Sequence, residues 1–190
     1  MTSFAQAADE GMIPSRFDDR SNTAYFNSVD ASLWFINAAF QYLYAAGDYE
    51  TFLERLLPII RWIIDSYYNG TRFGICADAD GLITAGNDDT QLTWMDAKYN
   101  GVAITARYGK AVEINALWYN SLCLIARFYA GRDIENAEHY KSLADKVENS
   151  FCGLFWNETA GYLNDCIGPG GLVDSSLRPN QIFAVSLPFS

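Results

Sequence analysis

The chain has 190 residues, of which 50% are hydrophobic, and a formal net charge of -10 at pH 7. This length can bury one sizeable core, so we expect a single domain, or a piece of one, over residues 1–190. The acidic balance argues against binding to nucleic acid or to anionic membrane, because both need a basic surface. A neutral substrate fits better.

Location and metal binding are also constrained by composition. No apolar run is long enough to span a bilayer, and the N-terminus lacks the pattern of a secretion signal. The four cysteines form no C-x-x-C pair, so we expect reduced thiols and a cytoplasmic protein. The lone histidine, His139, lies among charged residues of a solvated helix, which leaves a His-based triad or zinc site without enough ligands.

The first long helical segment, from Ser28 to Ala46, is apolar almost all round and predicts a buried helix. Its polar residues Asp30, Asn37 and Gln41 share one helical face with Trp34. That face is either a buried polar network or one wall of a cavity.

The segments that follow alternate between half-exposed and buried helices. Residues 49–68 predict an amphipathic outer helix, residues 111–131 a second buried helix, and residues 134–151 a second outer helix. Between the pairs lies a long irregular stretch, residues 69–110, in which the sequence predicts a hairpin turned at Asp80-Gly81. Such pairs bury their faces only by stacking, and a ring of them is an α/α toroid. About two and a half pairs fit here, so we expect a truncated piece of a larger ring, with one more helix starting at Pro179.

The loops that start the buried helices carry carboxylates, tryptophans and amides, which should converge at one end of the ring. This mixture suits a sugar, whose C–H faces stack on aromatic rings and whose hydroxyls need hydrogen-bond partners. The candidate site residues are Asp30, Trp34, Trp94, Asp96, Arg107, Tyr108, Lys110, Glu113, Trp118, Asn120, Arg178, Asn180 and Gln181.

Asp96 is the first choice as general acid for breaking a glycosidic bond. Such a donor needs its acidity lowered by apolar neighbours, and Trp94 and Met95 precede it directly. The alternative is a turn or cap residue. Structural roles are also open for the other two carboxylates. Glu113 could equally be a first-turn carboxylate that the helix macrodipole favours, and Asp30 could bond to backbone amides at the start of its helix. The alternative for Trp34 and Trp118 is a position in the core, and the alternative for Lys110 and Arg178 is to fix loops through backbone carbonyls.

Five motifs occur in the order GMIPSRF, NSVDASLWFI, TQLTWMDAK, RYGKAVEINALWYNSL and RPNQIFAVSLP. Together they resemble the C-terminal amylo-α-1,6-glucosidase domain of glycogen debranching enzymes, from about Gly11 to the last residue. The resemblance implies an all-α fold that is part of an (α/α)6 toroid. It also implies hydrolysis of the single α-1,6-linked glucose at a trimmed branch of glycogen, with inversion at the anomeric carbon.

The same resemblance implies roles for individual residues. Asp96 takes the place of the general acid, while Asp30 and the segment 107–118, which includes Asn115, form walls of the sugar site. The family's base is a glutamate nearer the C-terminus, past residue 190, and Glu113 is the only local substitute. Ala106 departs from the family's T-P-R-Y-G-K motif, which loosens the loop but removes no polar group.

The implied partners are glycogen or a branched α-glucan, the remaining part of the toroid and an N-terminal domain. Hydrolysis by two carboxylates needs no metal and no organic cofactor. Three alternatives stay open: another toroidal glycosidase acting on a small glucoside, a fragment that binds glucan without a base, and a helical scaffold for protein partners. The last predicts a concave face of varied residues rather than clustered Trp, Asp and Asn.

Overall fold

The computed structural model describes the whole chain, residues 1–190, as a mainly helical fold. The α-helices are α1 (Thr2–Gln6), α2 (Asp30–Ala46), α3 (Tyr49–Thr51), α4 (Leu57–Asn69), α5 (Val112–Tyr129), α6 (Ile134–Phe155) and α7 (Phe183–Ser186). A π-helical turn, Phe52–Leu56, joins α3 to α4, and 3₁₀ turns cover Arg72–Gly74, Pro169–Gly171 and Pro179–Ile182.

The strands are two residues long and pair antiparallel. Four ladders are two-stranded: β1 (Arg16–Phe17) with β2 (Ala24–Tyr25), β3 (Cys76–Ala77) with β4 (Ile83–Thr84), β5 (Lys98–Tyr99) with β6 (Val102–Ala103), and β8 (Trp156–Asn157) with β9 (Tyr162–Leu163). The fifth is a three-stranded sheet in the order β11-β10-β7, from Val173–Asp174, Cys166–Ile167 and Lys110–Ala111.

Helix α2 is the predicted first buried helix. Its start is capped by Ser28, whose Oγ accepts from the Ala31 backbone N–H at 3.1 Å, and its end by Gly47 in the left-handed conformation at φ 64°. The polar residues of this helix do not share one environment. Asn37 accepts a hydrogen bond from Asn120 Nδ2 of α5 at 3.2 Å, whereas Gln41 is exposed.

The predicted outer helix over residues 49–68 is present as α3, the π-helical turn and α4. Asp48 caps it by accepting from the Thr51 backbone N–H at 3.0 Å. The wider turn ends at Leu56, and Pro58 follows as the second residue of α4, where a residue without an N–H fits. Ile60, Ile63 and Ile64 then face the core.

The second pair of helices follows the same scheme. Helix α5 is buried along almost its whole length, and α6, capped by Asp133 on the Asn136 N–H at 3.1 Å, buries only one face. Helix α2 packs against α5 and α5 against α6, and one continuous core joins both pairs. His139 is exposed on α6, as predicted. None of the helices combines the length and the hydropathy that crossing a bilayer would require.

The hairpin predicted at Asp80-Gly81 is confirmed as β3 and β4, and α5 fixes it in place. Asn115 accepts from the Ile83 backbone N–H at 2.7 Å and donates to its carbonyl at 3.1 Å. Trp118 donates its indole N–H to the Gly81 carbonyl at 3.1 Å. The first turn of α5 is thereby held against the loops that surround the candidate site.

Candidate active site

A cleft of about 340 Å³ opens where the buried helices α2 and α5 begin. Five of the residues singled out in the sequence line it: Asp30, Trp34, Trp94, Glu113 and Asn180. Its remaining walls are apolar and come from Leu117, Pro179, Ile182 and Phe183. Carboxylates and aromatic rings therefore meet in one concave site, in a volume within the range of small-molecule pockets.

One wall of the cleft is backed by a buried ion cluster around Arg107. Its guanidinium pairs with both carboxylate oxygens of Glu113, the Nη2–Oε2 distance being 2.5 Å. On its other side, Nε donates to Asp165 Oδ2 at 2.7 Å and Nη2 to Asp165 Oδ1 at 3.2 Å. The side chains of all three residues are at most 2% exposed. A buried cation shared by two carboxylates satisfies charges that would be costly alone.

The cluster continues toward the surface through a second arginine. Arg178 Nη1 donates to Asp165 Oδ2 at 2.7 Å and to Asp174 Oδ2 at 2.6 Å. Burial alone lowers the pKa of Arg107, but Glu113 and Asp165 outweigh it and raise that pKa above its ordinary value. For the acid Asp174 the signs are reversed: burial raises its pKa, but hydrogen bonds from Ser176 and Arg178 outweigh burial and lower the pKa to about 2.

Asp96 comes two residues after Trp94, which lines the cleft. It is exposed and is not among the residues that line the cleft. The apolar cover expected from Trp94 and Met95 does not bury Asp96, which is exposed. Both neighbours contact Asn180: Trp94 Nε1 donates to Asn180 Oδ1 at 2.9 Å, and Met95 Sδ lies 3.5 Å from Asn180 Nδ2. The loop is anchored by the two residues before Asp96, and the carboxylate is left free.

Several predicted site residues lie behind the cleft in structural positions. Asn115 and Trp118 hold the β3–β4 hairpin, and Asn120 joins α2 to α5 through Asn37. Lys110 Nζ is 3.0 Å from Asp78 Oδ2 and 2.6 Å from Asp80 Oδ2. The structure does not bring these four candidates to the cleft.

The remaining candidates lie to either side. Tyr108 is half-buried, and the carboxylate of Asp88 raises the pKa of its phenol by accepting a hydrogen bond from the hydroxyl. Arg178 and Gln181 line a second, largely apolar cleft of about 840 Å³ between the α5–α6 pair and the C-terminal turns. No group of three or more His, Cys, Asp or Glu residues is placed to hold a metal ion.

The sequence interpretation missed Asp165, which lies between β9 and β10. It is 3% exposed, and its backbone carbonyl accepts the Val112 N–H at the start of α5 at 3.0 Å. A signal was available, because Asp165 directly precedes Cys166 and follows the apolar Leu163 by two positions in a strand-like segment. A carboxylate at such a position needs a buried cation, and Arg107 is that cation.

The comparison with protein families decides the assignment. A family model described as amylo-alpha-1,6-glucosidase matches residues 1–190. The chain belongs to the amylo-alpha-1,6-glucosidase family. It is therefore a glycosidase-type domain, and the cleft of this family member is a candidate sugar site. A search among curated proteins finds no match.

Two solved structures of rhamnosidases are similar to this chain in fold. A rhamnosidase from Klebsiella oxytoca with rhamnose bound has 18% identity and a TM-score of 0.66, over 93% of this chain and 31% of that one. A GH78 family rhamnosidase of Bacillus sp. GL1 has 17% identity and a TM-score of 0.69, over 96% of this chain and 17% of that one. At such identities the likeness shows a shared fold, and the chain spans less than a third of either protein's length.

Proposed function

We propose that this amylo-alpha-1,6-glucosidase family member takes part in glycogen breakdown by hydrolysing α-1,6-linked glucose at branch points of glycogen-like glucan. The observation that carries the proposal is the cleft at the start of α2 and α5, in a chain that the family model matches throughout. Its tryptophans Trp34 and Trp94 offer faces for a sugar ring, and Asp30 offers hydroxyl-binding oxygens.

In this proposal Asp96 is the general acid that protonates the leaving oxygen. Its carboxylate is exposed two residues after Trp94 of the cleft, and in this proposal it meets the glycosidic oxygen where the leaving glucan chain passes into solvent. Binding of the glucan then supplies the apolar cover that the free chain lacks. An inverting reaction also needs a base that activates water, with the two carboxyl groups about 6.5–9.5 Å apart.

Glu113 is a poor candidate for that base. Although it lines the cleft, both of its oxygens accept hydrogen bonds from Arg107, so neither is free to take a proton from water. We propose that the base comes from a part of the protein outside residues 1–190. The same view makes the two helix pairs part of an (α/α)6 toroid, completed by further helices and joined to an N-terminal domain. A cytoplasmic setting fits the four free cysteines.

A second candidate is another toroidal glycosidase that removes a terminal sugar from a small glycoside. It is favoured by the cleft volume of about 340 Å³, which suits one sugar unit, and by the rhamnosidase fold neighbours. A glucan-binding fragment without turnover is the third outcome, in which Asp96 has no partner base.

The test is glucose release from a phosphorylase-trimmed glycogen carrying single-glucose branch stubs. The assay compares the full-length gene product, the 190-residue chain, and the full-length Asp96→Asn and Asp89→Asn variants. Asp89 is an exposed carboxylate of the same loop region and serves as the matched control. We expect Asp96→Asn to lower kcat by about a hundredfold or more, Asp89→Asn to leave it unchanged, and the first product to be β-glucose.

Three outcomes would contradict the proposal in different ways. Release of rhamnose or glucose from small glycosides, without release from the dextrin, supports the second candidate. Binding of glucan by the folded full-length protein without release of any sugar supports the third. Equal losses in Asp96→Asn and Asp89→Asn would remove Asp96 from the role of acid.

A further inference from the structure

Asp165 has no assigned role, yet it connects the buried ion cluster to the cleft. Its two oxygens accept hydrogen bonds from Arg107, Arg178 and Asn180, the last from Nδ2 to Oδ1 at 2.6 Å. Asp165 does not itself line the cleft, whereas Asn180 does. Asn180 is therefore the link from Asp165 to the Trp94 side of the cleft, while Arg107 and Glu113 form a separate link to the α5 side.

Asp165, Asn180 and Trp94 form a chain of hydrogen bonds, called the relay below. The chemistry of the three side chains fixes its direction. The Asp165 oxygens accept from two arginines, which can only donate, and the Asn180 amide presents its NH₂ group to the same carboxylate. The carbonyl oxygen of the Asn180 amide then points the other way. There it accepts from the indole N–H of Trp94, which can only donate.

The far end of the relay is the loop that carries Asp96. Trp94 is 54% exposed, so its ring orientation depends on few contacts, and the hydrogen bond to Asn180 is one of them. Met95 also touches Asn180, so both residues before Asp96 are held by one side chain that is 1% exposed.

We propose that Asp165 is a positioning residue: through Asn180 it sets the orientation of the Trp94 indole at the cleft and thereby the place of the Asp96 loop. Loss of the carboxylate lets the Asn180 amide reverse, which brings two donors face to face at Trp94 and releases the loop. The effect on the loop stands alone, and the effect on catalysis rests on the proposed function.

The first test measures hydrogen exchange of isotope-labelled tryptophan indoles in the full-length protein. Trp94→Phe assigns the Trp94 signal, and Trp118, whose N–H is bound by Gly81, is the internal control. In Asp165→Asn we expect the Trp94 indole proton to exchange about tenfold faster or more, with Trp118 unchanged. Asp174→Asn, which removes a partner of Arg178 but no contact of Asn180, should change neither signal.

Because Asp165→Asn disturbs Arg107 and could prevent folding, Asn180→Leu provides an independent variant. It removes the relay and leaves Asp165 with both arginines, and we expect the same faster exchange at Trp94. Unchanged exchange at Trp94 in a folded Asn180→Leu or Asp165→Asn protein would overturn the proposal. So would equal acceleration at Trp94 and Trp118, since that reports a general loss of stability.

The kinetic test uses the branched dextrin. Displacing the acid loop should lower kcat about tenfold to a hundredfold in Asp165→Asn and in Asn180→Leu, with a smaller change in KM. The double variant should lose little more than either single one, because both break the same relay. Additive losses would overturn the relay. If the wild type releases no sugar, the proposed function fails, and the indole exchange still decides the positioning role.

Discussion

The two sides of the cleft hold their carboxylates in opposite ways. On the side of α5, Glu113 and Asp165 are buried and share the guanidinium of Arg107. On the side of α2 and the long loop, Asp30 is half-buried with Ser28 as its hydrogen-bond donor, and Asp96 is exposed. A carboxylate locked onto a buried cation stabilises the architecture, whereas one without a cation is free to meet a substrate. The contrast separates structural from chemical groups within one site.

Removing Arg107 should destabilise the α5 side of the cleft. Arg107→Met leaves Glu113 buried without a cation and Asp165 with Arg178 alone, so we expect the free energy of unfolding to fall by about 3–5 kcal/mol in urea denaturation. Arg72→Met is the control, since Arg72 pairs with Asp9 and Glu10 at the surface and its side chain is 30% exposed. Its loss should be below about 1 kcal/mol. Similar losses in the two variants would mean that the buried cluster contributes no more than a surface pair.

A glycine on each side sharpens the same comparison. Gly109 has φ 103°, and a Cβ there would lie 2.5 Å from the Ile167 carbonyl oxygen, while Gly101 in the β5–β6 hairpin has φ 79° and open space around it. Gly109→Ala combines backbone strain with a clash and should cost on the order of 3 kcal/mol. Gly101→Ala carries the strain alone, about 1 kcal/mol. Thermal unfolding of both variants measures the difference, and equal values would show that β10 yields to the added methyl group.

The helices follow from local pattern, and the sequence predicted them well. Apolar residues all round marked α2 and α5, one apolar face marked α4 and α6, and the hairpin turn at Asp80-Gly81 was marked by its residues. These features depend on neighbours within a few positions along the chain, so periodicity and turn chemistry are enough to find them.

The site was predicted less completely because its contacts are distant in sequence. Arg107 meets Asp165 58 positions later, and Trp94 meets Asn180 86 positions later. No local pattern reports such pairs. The sequence also did not predict that Asp96 is exposed while Trp94 and Met95 contact Asn180, since those contacts are equally distant along the chain.

The two cleft carboxylates Asp30 and Glu113 should respond differently to loss of charge. Glu113→Gln places an amide NH₂ against the Arg107 guanidinium, so we expect about 2 kcal/mol of lost stability. Asp30→Asn should leave the unfolding midpoint unchanged and raise KM for the dextrin about tenfold, the effect of losing one hydrogen bond to a sugar hydroxyl. Unchanged KM in Asp30→Asn, with a lowered midpoint, would make Asp30 a helix-capping residue instead.

The smallest effect is expected at the exposed end of the ion cluster, where pH is the sharper probe. The pKa of Asp174 is about 2 in the folded chain against an ordinary 3.8, so its stabilising effect is present above about pH 4 and is lost as pH falls toward 2. Asp174→Asn should therefore lower stability slightly at pH 7 and flatten the loss of stability between pH 4 and 2. Because Arg178 also pairs with Asp165, the variant keeps one anchor for that arginine. Urea unfolding of wild type and variant across this range measures the slope, and parallel curves would mean that the Asp174–Arg178 pair adds nothing to the buried cluster.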